Sequence, residues 1–217
     1  MIRIVMIEDQ RMVQQSVFAS IAERLPVKLM GAFCSGRAAL GDVRSLRTAD
    51  IGLLDLNLGD EQAFDFLPSL KEVAPNLKLI WLTSVSTEYL LSLALQANLE
   101  GFVHKTEPIE VLITAIERVA AGGRFVSGAV AEMNARFRVD ANHFSKLLSD
   151  REQELLRLLG KGLSNSEAAA LLGISASTVQ THRRNLMSRL GLHNATELQS
   201  YALQRGFAVP ERLHVRR

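Results

Sequence analysis

Four short apolar runs of this chain end in polar residues of a narrow chemical set. Ile2 to Ile7 leads into Glu8-Asp9, Ile51 to Leu54 into Asp55, Leu77 to Leu82 into Thr83-Ser84, and Gly101 to His104 into Lys105. Three carboxylates meeting in one crevice repel one another, and left unpaired their pKa values would rise. A divalent cation relieves that repulsion. Hard oxygen ligands suit Mg²⁺ (or Mn²⁺), and Mg²⁺ takes one or two carboxylates, several waters and phosphate oxygens. Glu8, Asp9 and Asp55 are therefore the candidate metal ligands. A hydroxyl from Thr83 and an ammonium from Lys105 facing the same point would hold the remaining oxygens of a transferred phosphoryl group. Asp55 is the expected acceptor, because a carboxylate can attack phosphorus and form an acyl phosphate.

These residues need a scaffold that brings strand ends together. With VKLMGAF (27–33), the apolar runs number five, and they alternate with helical patterns long enough for right-handed crossovers. That is the sign of an open parallel sheet wrapped by helices, in which the ligand crevice lies beyond the carboxyl ends of the strands. Five strands with five helices fit one domain of about 120 residues.

At 217 residues, 47% hydrophobic and 22% charged, the composition excludes disorder and small stapled folds. A single cysteine, Cys34, cannot form an internal disulfide, and a cytoplasmic location is expected. IRIVMI is too short for a signal-peptide core, and no window holds 18 uninterrupted apolar residues, so no membrane association is expected. The net charge of +2 is a difference of opposed halves: residues 1–121 hold 11 Lys/Arg against 15 Asp/Glu (−4), and residues 122–217 hold 14 against 8 (+6). No acid occurs between Glu167 and Glu197, a window that contains Arg183, Arg184 and Arg189. A basic face serves solvation as readily as a polyanion, so charge alone does not choose between them.

Acid pair, central Asp, Thr and Lys at successive strand ends resemble the receiver domain of bacterial two-component response regulators, over residues 1–121. The resemblance implies a flavodoxin-like five-stranded parallel sheet of order 2-1-3-4-5, phosphorylation of Asp55 by a sensor histidine kinase, and Mg²⁺ held by Glu8, Asp9, Asp55 and the main-chain carbonyl of Asn57. It also implies phosphoryl contacts from Thr83 and Lys105, and a switch built of Thr83 and Phe102, whose ring turns inward as Thr83 moves. Some positions depart from the pattern. Leu58 and Gly59 stand where Met-Pro is common, Ala63 where Gly is usual, and Thr106 where Pro often follows the Lys. Haloacid-dehalogenase-type phosphatases also carry an Asp nucleophile after a parallel strand, but their second acid two residues on is here Asn57.

From Ser149 the period becomes helical. Ser149 with Glu152, Ser164 with Glu167 and Asn194 with Glu197 have capping-box spacing or its Asn variant, and Ser175 opens a further helix. Helices at about 165–172 and 176–190 around Gly173-Ile174 have helix-turn-helix spacing. At about 100° per residue, Val179, Leu186 and Leu190 share one face of the second helix, and Ser177, Thr181, Arg184 and Ser188 the opposite one. Arg184 suits a bidentate contact to guanine and Gln180 one to adenine, while Thr178, His182 and Arg183 can reach phosphates. This segment resembles the LuxR-type DNA-binding domain, through Thr178-Val179-x-x-His182 and Leu190-Gly191. The resemblance implies an all-α four-helix domain over 148–217, base contacts from Gln180, Thr181 and Arg184, phosphate contacts that include Lys161 and Asn165, and dimerisation through the last helix. Leu198, Tyr201 and Ala202 are candidates for the dimer seam and fit an internal core equally well.

Residues 122–147 read as a linker with a short helix at 127–133. Together the two halves look like a response regulator of the NarL/FixJ group: a transcription regulator, homodimeric when active, that binds operator sites in double-stranded DNA, with RNA polymerase a candidate partner. No enzymatic activity is expected beyond slow self-phosphorylation from small phosphodonors and self-dephosphorylation. The alternative is an orphan regulator switched by a partner or ligand without phosphate.

Overall fold

Strand β1 (Ile2–Ile7) is buried on both faces from Ile4 onward, which is why it reads as an unbroken apolar run and not as an alternation. In the computed structural model, which describes residues 1–59, 61–140 and 143–208, β1 lies inside a six-stranded parallel sheet. Contacts divide the chain into two units: Met1–Val85 with Ala94–Met133, and Ser86–Leu93 with the described residues from Asn134 on.

The first unit follows β1 with α1 (Arg11–Ala22), β2 (Val27–Phe33), α2 (Gly36–Gly41), α3 (Val43–Thr48) and β3 (Ile51–Leu54). A two-stranded hairpin, β4 (Asn57–Leu58) and β5 (Glu61–Gln62), precedes α4 (Ala63–Val73) and β6 (Lys78–Thr83). Then come α5 (Glu88–Gln96), which runs from one unit into the other, β7 (Gly101–His104), α6 (Ile109–Ala120), β8 (Phe125–Val126) and α7 (Gly128–Val139). The sheet order is β2-β1-β3-β6-β7-β8. Alternate residues Ile4, Met6, Ile51, Leu53, Ile80, Leu82 and Val103 turn one sheet face onto Ile21 of α1 and Leu112, Ile116 and Val119 of α6.

The sheet thus has the expected order with one strand more than expected. Gly122 takes φ +87° and Gly123 returns a hydrogen bond to the Arg118 carbonyl, so the chain reverses after α6 and lays Phe125 and Val126 beside Gly101 and Phe102. Two residues are too few to show a strand period, which is why the sequence reads there as a linker. The helix expected at 127–133 extends to Val139.

The hairpin accounts for the departure after Asp55. Asn57 pairs with Gln62 and Leu58 with Glu61, and Gly59 opens the turn at φ +69°. A hairpin turn of this length needs positive φ at its first central residue, where Pro is locked near −65°. Leu58 is buried, and the Glu61 carboxylate accepts the Gly36 N–H at 2.7 Å, fastening the hairpin to the first turn of α2.

In the second unit α8 (Phe144–Leu147), α9 (Asp150–Gly160), α10 (Asn165–Leu172), α11 (Ala176–Leu190) and α12 (Ala195–Arg205) follow one another. Both Ser capping boxes close reciprocally, and Ser175 and Asn194 accept from the N–H groups of Thr178 and Glu197. The first turn of α5 belongs here by its contacts. Glu88, 2% exposed, accepts the Phe144 N–H at 2.8 Å and pairs with Arg205, while Tyr89 stacks on Phe207 with ring centroids 4.0 Å apart.

The hairpin geometry sets a prediction. Gly59→Ala should lower stability by about 1 kcal/mol, the usual penalty of a left-handed residue with a Cβ, and Gly59→Pro, which restores the commoner residue, should lower it more. Urea unfolding of the purified chain measures both, and a Gly59→Pro variant as stable as the parent would contradict the turn.

Candidate functional site

The carboxyl ends of β1, β3 and β7 bring Glu8, Asp55 and Lys105 together at the bottom of one crevice. The Lys105 Nζ lies 2.5 Å from Glu8 Oε2 and 2.7 Å from Asp55 Oδ2. Glu8 and Asp55 are 3% and 7% exposed, so this is a charge cluster largely withdrawn from water. Burial pushes the Glu8 carboxyl above its usual value; the hydrogen bond and charge of Lys105 pull it back without cancelling the rise, and the charge of Asp55 adds to it. Burial alone would lower the Lys105 pKa, but the hydrogen bonds and charges of Asp55 and Glu8 hold it above the ordinary lysine value.

Asp9 completes the cluster: one carboxylate oxygen from each of Glu8, Asp9 and Asp55 lies within 4.8 Å of the others. The added Cβ of a residue at Gly59 would stand 3.7 Å from Asp9 Oδ2, so the hairpin turn flanks the acids. Asn57 donates its main-chain N–H to Asp55 Oδ1 at 3.4 Å, and its own side-chain oxygen is buried with no donor among the described residues. An all-oxygen, anionic donor set with a buried acceptor to spare fits a hydrated hard cation. Thr83 is wholly buried at the end of β6, its Oγ1 accepting the Val85 N–H at 3.3 Å, and the Lys105 N–H donates to the Thr83 carbonyl at 2.9 Å.

Phe102 differs from expectation. Its ring is only 3% exposed in a structure where Lys105 still bridges the two carboxylates. Phe102 is paired with Val126 of β8 on one side and Trp81 of β6 on the other, and these residues line a cavity of ≈370 Å³ with Leu95, Leu99 and Arg124. The ring that was expected to turn inward is already covered.

The second cluster lies on α10 and α11. Val179 and Leu186 are buried, while Gln180, Thr181 and Arg184 are exposed along the opposite face of α11. The Arg183 guanidinium donates to Asn165 Oδ1 at 3.1 Å, so two residues expected at phosphates are held side by side across the turn. With Gln180, Arg184, Met187, Ser188 and His193 they line a concavity of ≈660 Å³. Thr178 shares its hydroxyl with Ser175 at the helix start, His182 is half-buried beside Arg183, and Lys161 is exposed just after α9. Arg189, the third arginine of the acid-free window, is committed elsewhere, donating to the Leu147 carbonyl at 3.0 Å and to Glu152 at 2.8 Å. Met187 and His193 also line this concavity and were not among the residues expected there; Met187 lies one helical turn from Arg183 on α11, and His193 lies past the helix end.

The expected dimer seam is corrected. Leu198 is 1% exposed and Ala202 is fully buried against α9, close enough that a Cβ on Gly160 would meet the Ala202 methyl at 2.5 Å. Both side chains fill the internal core; an apolar pair four residues apart reads the same in either role. Tyr201 is partly exposed, with the Arg205 guanidinium 5.6 Å from its ring centre.

No helix among the described residues is long and apolar enough to cross a membrane. Residues 4–117 match the response regulator receiver domain family, and residues 146–202 match the luxR family of bacterial regulatory proteins. The response regulator protein VraR of Staphylococcus aureus is 27% identical over 204 residues, 94% of this chain and 97% of that protein. The RcsB response regulator of Salmonella typhimurium matches with a TM-score of 0.62 at 25% identity, covering 93% of this chain and 98% of that one. A complex of the response regulator RcsB with DNA matches with a TM-score of 0.63 at 25% identity, covering 94% and 98%. With its acidic crevice, its lysine and its exposed recognition helix, the chain belongs to the response regulators, a receiver domain joined to a LuxR-type DNA-binding domain as in the NarL/FixJ group.

Proposed function

We propose that Asp55 accepts a phosphoryl group from a sensor histidine kinase and that the phosphorylated receiver promotes homodimers that bind operator DNA in the cytoplasm, with RNA polymerase a candidate partner there. The observation that carries this reading is the Lys105 ammonium bridging Glu8 and Asp55 in a buried crevice. An Asp55 oxygen attacks the phosphorus of the kinase phosphohistidine, the P–N bond breaks, and the imidazole leaves. Glu8, Asp9, Asp55 and the carbonyl of Asn57 would hold Mg²⁺ (or Mn²⁺), which when bound supplies neutralisation of the phosphoryl charge. The oxygen that Lys105 now binds is spent in the new bond, so the ammonium transfers its hydrogen bond to a phosphoryl oxygen. The Thr83 hydroxyl donates to a second oxygen, which draws on the β6–α5 connection through its bond to Val85.

For DNA, Gln180, Thr181 and Arg184 face base edges, and Arg183, steadied by Asn165, meets a phosphate together with Thr178, His182 and Lys161. Activity as an enzyme is limited in this reading to slow self-phosphorylation from small donors and self-dephosphorylation.

Incubated with Mg²⁺ and labelled acetyl phosphate, the wild-type chain should incorporate label, and Asp55→Ala or removal of the metal with a chelator should abolish it. Equal labelling of Asp55→Ala would remove Asp55 as the acceptor. On operator DNA, Arg184→Ala should cost about 1–3 kcal/mol at one base pair and relax sequence preference there. Arg183→Ala should instead weaken binding to all sequences and reduce the salt slope by about 1. Binding titrations across salt concentrations separate the two, and identical losses on specific and random DNA would refute the division of the face.

A further inference from the structure

His104, the last residue of β7, is 6% exposed, and its Nε2 has no hydrogen-bond partner among the described residues. Its other nitrogen is fixed from two directions by Thr106. The Thr106 main-chain N–H points at Nδ1 from 3.3 Å, and the Thr106 hydroxyl lies 2.7 Å from the same atom. A main-chain N–H can only donate, so Nδ1 is an acceptor and the neutral ring carries its proton on Nε2. The result is a buried N–H donor without an acceptor, an arrangement that native structures rarely leave unused. Thr106 stands where the family often has Pro, which has no N–H and no hydroxyl. This departure from the pattern is therefore what sets the ring.

The residue that carries this donor is the strand partner of Thr83. Thr83 and His104 are directly paired in register on adjacent parallel strands, so both side chains leave the sheet on the same face, together with Trp81 and Phe102 two residues earlier. Among the described residues the Thr83 oxygen accepts a weak 3.3 Å bond from the Val85 N–H, across a chain separation of two residues. A hydroxyl oxygen has two lone pairs and one proton. When that proton is given to a phosphoryl oxygen, the hydroxyl becomes a better acceptor, because hydrogen bonds in a chain polarise one another.

We propose that His104 is a positioning residue of the phosphorylated state: its Nε2–H donates to the Thr83 Oγ1 when the Thr83 hydroxyl donates to the phosphoryl group, giving a continuous chain from imidazole through hydroxyl to phosphoryl oxygen. His104 acts through Thr83 and does not touch the phosphoryl group. The donor is left waiting in the resting state, which makes that state less stable relative to the phosphorylated one and so favours the switch. The inference rests on the reading of Asp55 as phosphoacceptor.

Trp81 supplies the readout, as the single tryptophan of the chain, 1% exposed and on the same face two residues before Thr83. The full-length protein is titrated with beryllofluoride in the presence of Mg²⁺, following Trp81 fluorescence, for wild type, His104→Val, His104→Gln, Thr83→Ala and the His104→Val/Thr83→Ala double variant. His104→Val should raise the half-saturating beryllofluoride concentration about ten-fold, the effect of losing one hydrogen bond to a polarised acceptor. His104→Gln, whose amide places an N–H near the Nε2 position, should recover most of that loss, and His104→Leu repeats the measurement if the Val variant does not fold. In the Thr83→Ala background His104→Val should add nothing, which a ring that merely fills space would not satisfy. Saturation of His104→Val at the wild-type concentration, or the same ten-fold loss with Thr83 absent, overturns the proposal while leaving the acceptor assignment intact. A wild-type protein with no beryllofluoride response at all would overturn the acceptor assignment itself.

Discussion

The ammonium of Lys105, held between Glu8 and Asp55, is the constraint around which the receiver is arranged. Withdrawing an ion from water costs several kcal/mol, and a buried pair recovers this only where geometry is good and further hydrogen bonds complete the shell. Here the completion is visible. Gln10 donates to the second oxygen of Glu8, Asn57 donates to Asp55, and the Lys105 main chain is tied to Thr83 across the β6–β7 ladder. With two anions and one cation at contact distance, and a third acid alongside, the crevice keeps a surplus of negative charge. A site in that condition is tuned to admit positive charge, and any new anion arriving with its own counter-cation must redistribute the bonds of the lysine. The sheet makes this possible by ending β1 and β3 at one level, Ile7 beside Leu54, and carrying β7 two residues further, with buried apolar residues behind the site.

The DNA-binding unit uses charge differently. Three of its helices start on side-chain caps that engage the carboxylates of Glu152, Glu167 and Glu197, so these acids are bound to helix ends. Glu152 also neutralises Arg189. What remains on the outer face of α11 is Arg183 and Arg184 with neutral hydrogen-bonding neighbours. Contacts of this kind release counterions from DNA and give an affinity that falls steeply with salt. Asn165 limits the freedom of Arg183, so a group that meets this guanidinium finds part of its side-chain entropy already spent.

Much of this was legible in the sequence, for identifiable reasons. Strands that are buried on both faces read as continuous apolar runs, so β1, β3, β6 and β7 are legible to within a residue of their observed ends, and so is the apolar run of the half-buried edge strand β2. Helix starts were readable because Ser149, Ser164, Ser175 and Asn194 bond to backbone only three residues away, a local interaction. What escaped is what tertiary pairing decides. Strand β8 pairs with the edge that β7 offers, the β4–β5 hairpin is fastened where Glu61 finds Gly36, and the buried Phe102 sits between strand partners on β6 and β8. Leu198 and Ala202 carried no information that separates an inner stripe from an outer one, and the tie between Arg189 and Glu152 spans 37 residues.

Strand β8 has a consequence for how such proteins can be recombined. A receiver ending at Ala121, just past α6, would bare the hydrogen-bonding edge of β7, and bare parallel edges invite pairing with other chains. The residues that seal the edge lie in what sequence alone reads as the tether to the next domain. Exchange of the output domain, by design or by evolution, therefore has to keep the chain through Met133, where the first unit ends, and a fusion placed before Ser127, whose N–H still bonds to Phe102, would separate the sheet from its own last strand.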